Sequence, residues 1–248
     1  MHVHTIIGPT GIGKSARAVT EARRLDAPIV VADRIQCYVD LTTTSARHTG
    51  QEDDDLRRHF LDTRTVDDGD YSPDAAHVAL RRTLHELSRE HRCVVVEGGS
   101  ISLLSAFLGA SDDLPFEVST ELMRVTDPYD HMHRLRLRAR RMLAPPEGQP
   151  GLLQELAAAW RYKARQEFVA SIVGLGTVIR WCGRHEIPIE SLSEFSPSPS
   201  QTDELAAVIA YEHAAYGELQ HQAFLAMPRR QLRRPQTVGH QCETTGWS

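Results

Sequence analysis

The run Gly8-Pro9-Thr10-Gly11-Ile12-Gly13-Lys14-Ser15 fills the pattern G-x-x-x-x-G-K-[ST] at every position. Such a loop constrains the fold as well as the ligand, because it joins a buried strand to a helix. Residues 3–7 before it form a short apolar run, and residues 15–25 after it read as a helix. Glycines let backbone N–H groups turn inward around an anion, the helix N-terminus adds its positive end, and the lysine neutralises phosphate charge. Only two of the 28 Lys and Arg residues are lysines, Lys14 and Lys163, so an ammonium at position 14 stands out in a chain that otherwise uses guanidinium. The pattern predicts a phosphate or diphosphate site built from Gly8, Pro9, Thr10, Gly11, Gly13, Lys14 and Ser15.

Two further apolar runs, 28–32 and 93–96, have the length and composition of buried parallel strands. Helical segments separate the three runs, which predicts an α/β fold: a doubly wound parallel sheet of the P-loop NTPase type, followed by a helical C-terminal part over about 130–226. Ligands of such sheets lie beyond the carboxyl ends of the strands. Those ends carry the glycine loop, Asp33-Arg34-Ile35-Gln36, and Glu97-Gly98-Gly99-Ser100. Ser72-Pro73 starts a helix running to about residue 89. An Arg-rich helix spans 130–143, a Pro/Gly cluster at 145–151 breaks it, and another helix begins at Leu152. Residues 196–200 read as a loop, and 203–222 as a final helix. The chain reads as one domain over 1–226, with 227–248 a disordered basic tail; an RNA- or phosphate-contacting surface is the second reading of that tail.

A net charge of −5 gives no field toward nucleic acid, and no apolar run approaches membrane-spanning length. The chain enters a strand almost at once with no signal-peptide pattern, which points to the cytoplasm. Cys37, Cys93, Cys182 and Cys242 are scattered and make no C-x-x-C pair, so they read as free thiols. The expected partners are small molecules, and the expected state is a monomer.

The glycine loop names a phosphate ligand and leaves the reaction open. In phosphoryl transfer from ATP, Ser15 would hold Mg²⁺ and Glu97, after the run Val94-Val95-Val96, would stand behind it. Asp33 ends the second strand facing the loop, where a carboxylate can take a proton from an incoming hydroxyl or amine; capping of the next turn is its structural alternative. Arg134, Arg138 and Met142 fall at i, i+4 intervals on one helix face, and two guanidiniums so placed can clamp a pyrophosphate. A solvated basic helix is the competing reading.

Taken in order, Gly8-Pro9-Thr10-x-x-Gly13-Lys14-Ser15, Asp33-Arg34-x-Gln36, Ser45-x-Arg47, Leu61-Asp62-x-Arg64, Glu97-Gly98-Gly99-Ser100-Ile101-Ser102 and Leu152-Leu153-x-Glu155-Leu156 resemble the bacterial adenylate isopentenyltransferases. These cytokinin-forming dimethylallyltransferases are related to the tRNA dimethylallyltransferases. The resemblance covers roughly 3–224 and implies an allylic diphosphate, not ATP, in the loop. It implies transfer of a dimethylallyl group from dimethylallyl diphosphate to the N6 amine of AMP, with Mg²⁺. Thr10, Lys14, Asp33 and Arg138 take the catalytic roles; Asp33, Gln36, Ser45, Arg47 and Ser100 are the AMP-side candidates. Family members that prefer a hydroxylated donor carry Asp and His in the prenyl pocket. Alignment places Val173 and Tyr216 there, which implies preference for the dimethylallyl donor, with His213 a nearby substitute hydrogen-bonding group. Gln222 stands where relatives tend to carry Arg.

Two rivals remain at this point. A tRNA dimethylallyltransferase needs added RNA-binding surface, which a short, net acidic chain does not offer. A small-molecule kinase would use ATP, with the Arg-rich helix as its lid.

Overall fold

The computed structural model describes residues 1–47 and 56–227. Five strands, β1 (His2–Ile7), β2 (Ile29–Val31), β3 (Arg58–Phe60), β4 (Cys93–Gly98) and β5 (Glu117–Leu122), pair in the order β3-β2-β4-β1-β5, every pairing parallel. The helices are α1 (Lys14–Leu25), α2 (Thr42–Ser45), α3 (Pro73–Leu87), α4 (Ile101–Gly109), α5 (Pro128–Leu143), α6 (Leu152–Trp160), α7 (Gln166–Ser171), α8 (Leu175–Arg184) and α9 (Pro199–Leu225).

Strand alternation divides the core. Ile6, Ile29, Val31 and Val95 face one side, where they pack with Ala18 and Ala22 of α1. Val3, Ile7, Val30, Val94 and Val96 face the other, against Leu80 and Leu84 of α3, Leu103 and Leu104 of α4, and Phe224 of α9. Helices thus cover both faces, as the β-α-β rhythm predicts. Strands β3 and β5 were not foreseen. They lie at the sheet edges, where Arg-His-Phe and Glu-Val-Ser-Thr-Glu-Leu lack the apolar run of a central strand.

The strand ends are in register: Ile7 lies opposite Gly98, and Val31 opposite Glu97. Gly98 is needed for this closeness, since a Cβ there would overlap the carbonyl oxygen of Ala32. The three polar loops therefore leave the sheet side by side.

Two of the helical expectations shift. The Arg-rich helix starts at Pro128, with Asp127 accepting from the N–H groups of Tyr129 (2.8 Å) and Asp130 (3.2 Å). The final helix starts inside the expected loop, at Pro199, because Ser198 and Gln201 form a capping box: Ser198 Oγ accepts from Gln201 N at 3.3 Å and Gln201 Oε1 from Ser198 N at 2.9 Å. Helix α9 packs along α5 and passes over the glycine loop, where Gly217 leaves room for Pro9 and Thr10. The tail expectation covers 227–248, of which all but Met227 lies outside the described residues.

Candidate active site

The glycine loop opens straight into α1. Gly13 takes φ 97°, a left-handed conformation that side chains disfavour, and so turns the chain into the helix. No side chain caps α1 and no acidic residue sits in its first turn, so its leading N–H groups are left for an anion. Lys14 Nζ donates to the carbonyls of Gly8 (3.0 Å) and Pro9 (2.8 Å). Burial pushes its pKa down to about 8, opposed by Glu97 and Asp33 and reinforced by Arg138. Two carboxylates and one guanidinium from distant parts of the chain thus lie within electrostatic reach of this ammonium.

Ser15 Oγ donates to Glu97 Oε2 at 2.9 Å, and Arg58 Nη1 meets Glu97 Oε1 at 3.0 Å. Sequence spacing anticipates the Ser15–Glu97 pair. Arg58 was missed, because it comes from the edge strand β3. Hydroxyl and carboxylate oxygens are the hard donors that Mg²⁺ takes, and a magnesium site needs few protein ligands when phosphates supply the rest.

Beyond the strand ends lies an open cleft. Thr10, Asp33, Ser45, Ser100, Arg138, Val173 and Tyr216 all line it, joined by Arg34, Thr44, Ile172, His213 and Gln220. Of the two roles raised by the sequence for Asp33, the cap is present: Oδ1 accepts from Ile35 N at 3.0 Å, while the residue also lines the cleft and Oδ2 accepts from Gln36 Nε2 at 3.4 Å. Arg138 comes from α5 with its Nε buried and unpartnered among the described residues, and burial lowers its pKa. Arg134, one turn earlier, is exposed and pairs with Asp130 at 2.7 Å, so the helix brings a single guanidinium to the cleft from this pair.

Gln36 and Arg47 do not line the cleft. Arg47 stacks 3.7 Å over the Phe60 ring and bonds the Gln36 carbonyl, and these contacts brace the loop beside Asp33. His213 bonds the Ile209 carbonyl through Nδ1 at 2.9 Å; burial drives its pKa down to about 4, with Arg138 adding to the effect, so it stays neutral at pH 7. Gln222 bonds Glu218 on the exposed side of α9, at 2.9 Å.

Gln220 is the most informative residue that the sequence reading missed. It is 2% exposed; Oε1 accepts from Thr10 N at 2.7 Å, and Nε2 donates to the Gly99 carbonyl at 2.7 Å. His131 of α5 holds the Thr10 carbonyl at 2.8 Å. Both backbone groups of Thr10 are therefore fixed by the helical part, which leaves its side chain to the cleft. The available signal was helix periodicity: Gln220 lies four residues after Tyr216 and shares its face.

A phosphate loop at the carboxyl edge of a parallel sheet, with a carboxylate and a buried guanidinium across the cleft, defines a group-transfer enzyme of the P-loop type. A family model described as isopentenyl transferase matches residues 1–235, and the chain belongs to that family. It is 40% identical over 223 residues to an adenylate dimethylallyltransferase of Rhodococcoides fascians, an alignment covering 90% of this chain and 88% of the relative. An adenylate dimethylallyltransferase of Agrobacterium fabrum is 31% identical over 231 residues, covering 92% and 93%. In fold, the chain is similar to a eukaryotic dimethylallyltransferase acting on tRNA (TM-score 0.66, 14% identity, 88% of this chain and 68% of that one). It is also similar to a tRNA isopentenylpyrophosphate transferase from Bacillus halodurans (TM-score 0.65, 13% identity, 93% and 88%).

Proposed function

We propose that the protein transfers a dimethylallyl group from dimethylallyl diphosphate to the N6 amine of AMP, releasing diphosphate. The observation that carries this reading is the cleft that faces Asp33 toward the glycine loop, in a chain whose curated relatives are adenylate dimethylallyltransferases. The donor's carbon–oxygen bond breaks as negative charge grows on the diphosphate and cationic character on the allyl carbon. Loop N–H groups, Lys14 and Arg138 stabilise the charge where it develops. The unpartnered Arg138 Nε fits an incoming anion. Ser15, with Glu97 behind it, would hold Mg²⁺, which when bound supplies further positive charge to the leaving group. Thr10 turns its hydroxyl to the donor while Gln220 and His131 fix its backbone.

The adenine amine is a weak nucleophile, because its lone pair is delocalised into the ring. Asp33 orients it and takes its proton as the N–C bond forms; alignment of the two reactants supplies much of the rate. Ser45 and Ser100 take the nucleotide side of the cleft, and Val173 and Tyr216 the prenyl side, where Val173 offers a hydroxylated donor no partner.

Free nucleotide is favoured over tRNA by the relatives' names and by the net charge of −5. We place the protein in the cytoplasm as a monomer whose residues 1–226 act as one domain. Buried free thiols such as Cys37 and Cys182 fit a reducing compartment, and no helix of the described residues is long and apolar enough to cross a membrane. The test is mass spectrometry of reactions holding Mg²⁺, AMP or an unmodified tRNA, and either allylic donor. Prenylated AMP is expected. Prenylated tRNA alone, or phosphate transfer from ATP with no prenylated product, overturns the reading.

A further inference from the structure

Glu155 lies in α6, does not line the cleft, and is 2% exposed. Its Oε1 accepts from Thr43 N at 2.7 Å and from Thr42 Oγ1 at 3.2 Å; its Oε2 accepts from Thr44 N at 2.7 Å. Both oxygens accept, the pattern of an ionised carboxylate. Burial raises its pKa, while these donors favour the charged form. Among the described residues no Lys or Arg pairs with it, so the charge is compensated by donors of α2 alone.

Helix α2 depends on that support. It has four residues, far too few to persist in isolation. No side chain of its own N-cap residue, Leu41, caps it, and it ends at Ala46 with φ 54°, an uncommon conformation for a residue with a Cβ. The carboxylate of Glu155 supplies the missing cap from across the fold. A second tie, Thr43 Oγ1 to the Pro150 carbonyl at 2.6 Å, holds the same turn to the chain just before α6. What this turn delivers to the cleft is Thr44 and Ser45, two adjacent residues of its wall, with the Thr44 hydroxyl buried and unpartnered among the described residues.

We propose that Glu155 is a positioning residue for the acceptor nucleotide: it clamps α2 so that Thr44 and Ser45 stand fixed on the AMP side of the cleft. The proposal rests on the placement of AMP argued above. The donor side is held separately, by Gln220 and His131 on Thr10, so loss of the clamp acts on one substrate.

The experiment compares the full-length wild type with Glu155→Gln and Glu155→Ala, varying AMP at saturating donor and donor at saturating AMP. Amide hydrogen exchange over residues 42–46 and over β4 is followed in parallel. The isosteric glutamine has one accepting oxygen where two amides need acceptors. Its KM for AMP should rise about tenfold or more, with the donor KM within about twofold and faster exchange at Thr43 and Thr44 but not in β4. Parallel rises in both KM values, or an unchanged KM for AMP, overturn the clamp. If Glu155→Ala fails to fold, the glutamine variant decides alone. A wild type that leaves AMP unmodified overturns the functional reading and this proposal with it; a working wild type beside an indifferent Glu155→Gln overturns the clamp only.

Discussion

Lys14 sets two pH dependences in opposite directions, and the opposition is testable. Its pKa falls from an ordinary 10.5 to about 8, chiefly through burial. That fall corresponds to about 3 kcal/mol of disfavour toward the ammonium. Between pH 8 and 10.5 the folded enzyme therefore holds fewer protons at this site than the unfolded chain does. Stability from this group rises with pH across that window, since the unfolded state binds more protons there. Donor binding runs the other way, because only the ammonium neutralises diphosphate. The donor kcat/KM reports the free enzyme and should fall above pH about 8, approaching tenfold per pH unit. Lys14→Arg, which does not titrate in this range, should be slower and lack that limb. The melting temperature of the wild type, measured relative to Lys14→Met, which carries no titrating group here, should rise between pH 8 and 10. A wild-type profile flat to pH 9.5, or the same limb in Lys14→Arg, would refute the assignment of this group to the donor site.

Asp33→Asn keeps an oxygen for the Ile35 cap and removes the proton acceptor, so kcat should drop by about 10²–10⁴ with substrate binding, read calorimetrically, nearly unchanged. A kcat within a factor of a few of the wild type would remove Asp33 from the chemistry. Gln220→Ala strands the Thr10 N–H and the Gly99 carbonyl, at about 1–3 kcal/mol each where no water replaces the amide. The melting temperature should fall by about 5 °C or more and the donor KM should rise; an unchanged donor KM would contradict the strap between the two loops. In a competition assay the wild type should favour the dimethylallyl over the hydroxylated donor by about tenfold, and Val173→Asp should narrow the gap. Clear wild-type preference for the hydroxylated donor would overturn the role given to Val173.

The legible parts of this fold are those whose signal is local. Strands β1, β2 and β4 are central and largely buried; 28–32 and 93–96 read as apolar runs, and β1 is apolar apart from His2, His4 and Thr5. The glycine loop, the Asp33 turn and Ser100 follow directly from where those runs stop. Strands β3 and β5 carry no such signal, because an edge strand meets solvent and partner side chains that the local sequence does not reveal. In β5, Ser119 Oγ bonds His2 at 2.8 Å and His4 at 3.1 Å, and Glu121 pairs with Arg17 of α1 at 2.9 Å. Those polar residues are satisfied by neighbours 104 or more positions away in the chain. The capping box at Ser198 and Gln201 was readable and was masked by the surrounding prolines, one of which merely occupies the first helical turn.

The site divides along the same physical line. Helix periodicity placed Arg134 and Arg138 on one stripe, but a stripe does not say where along its length the helix meets the sheet. Arg138 lies over the strand ends and Arg134 one turn short of them, against Asp130. Glu155 and Gln220 touch the glycine loop or the acceptor turn from more than 100 residues away; Gln220 falls in none of the sequence motifs, and the Leu152–Leu156 stretch that holds Glu155 names no chemistry for it. Yet both act on backbone groups, and that is why they matter: a backbone N–H in a polar cleft needs an acceptor, or else it samples several directions. Gln220 fixes the amide of Thr10 and Glu155 those of Thr43 and Thr44, so the side chains on the same residues keep one orientation each. Prenyl transfer joins two substrates held by separate loops, and its rate depends on their mutual alignment more than on the strength of either grip. The parts of this site hidden from local sequence are therefore the ones that set the distance between the two halves of the reaction.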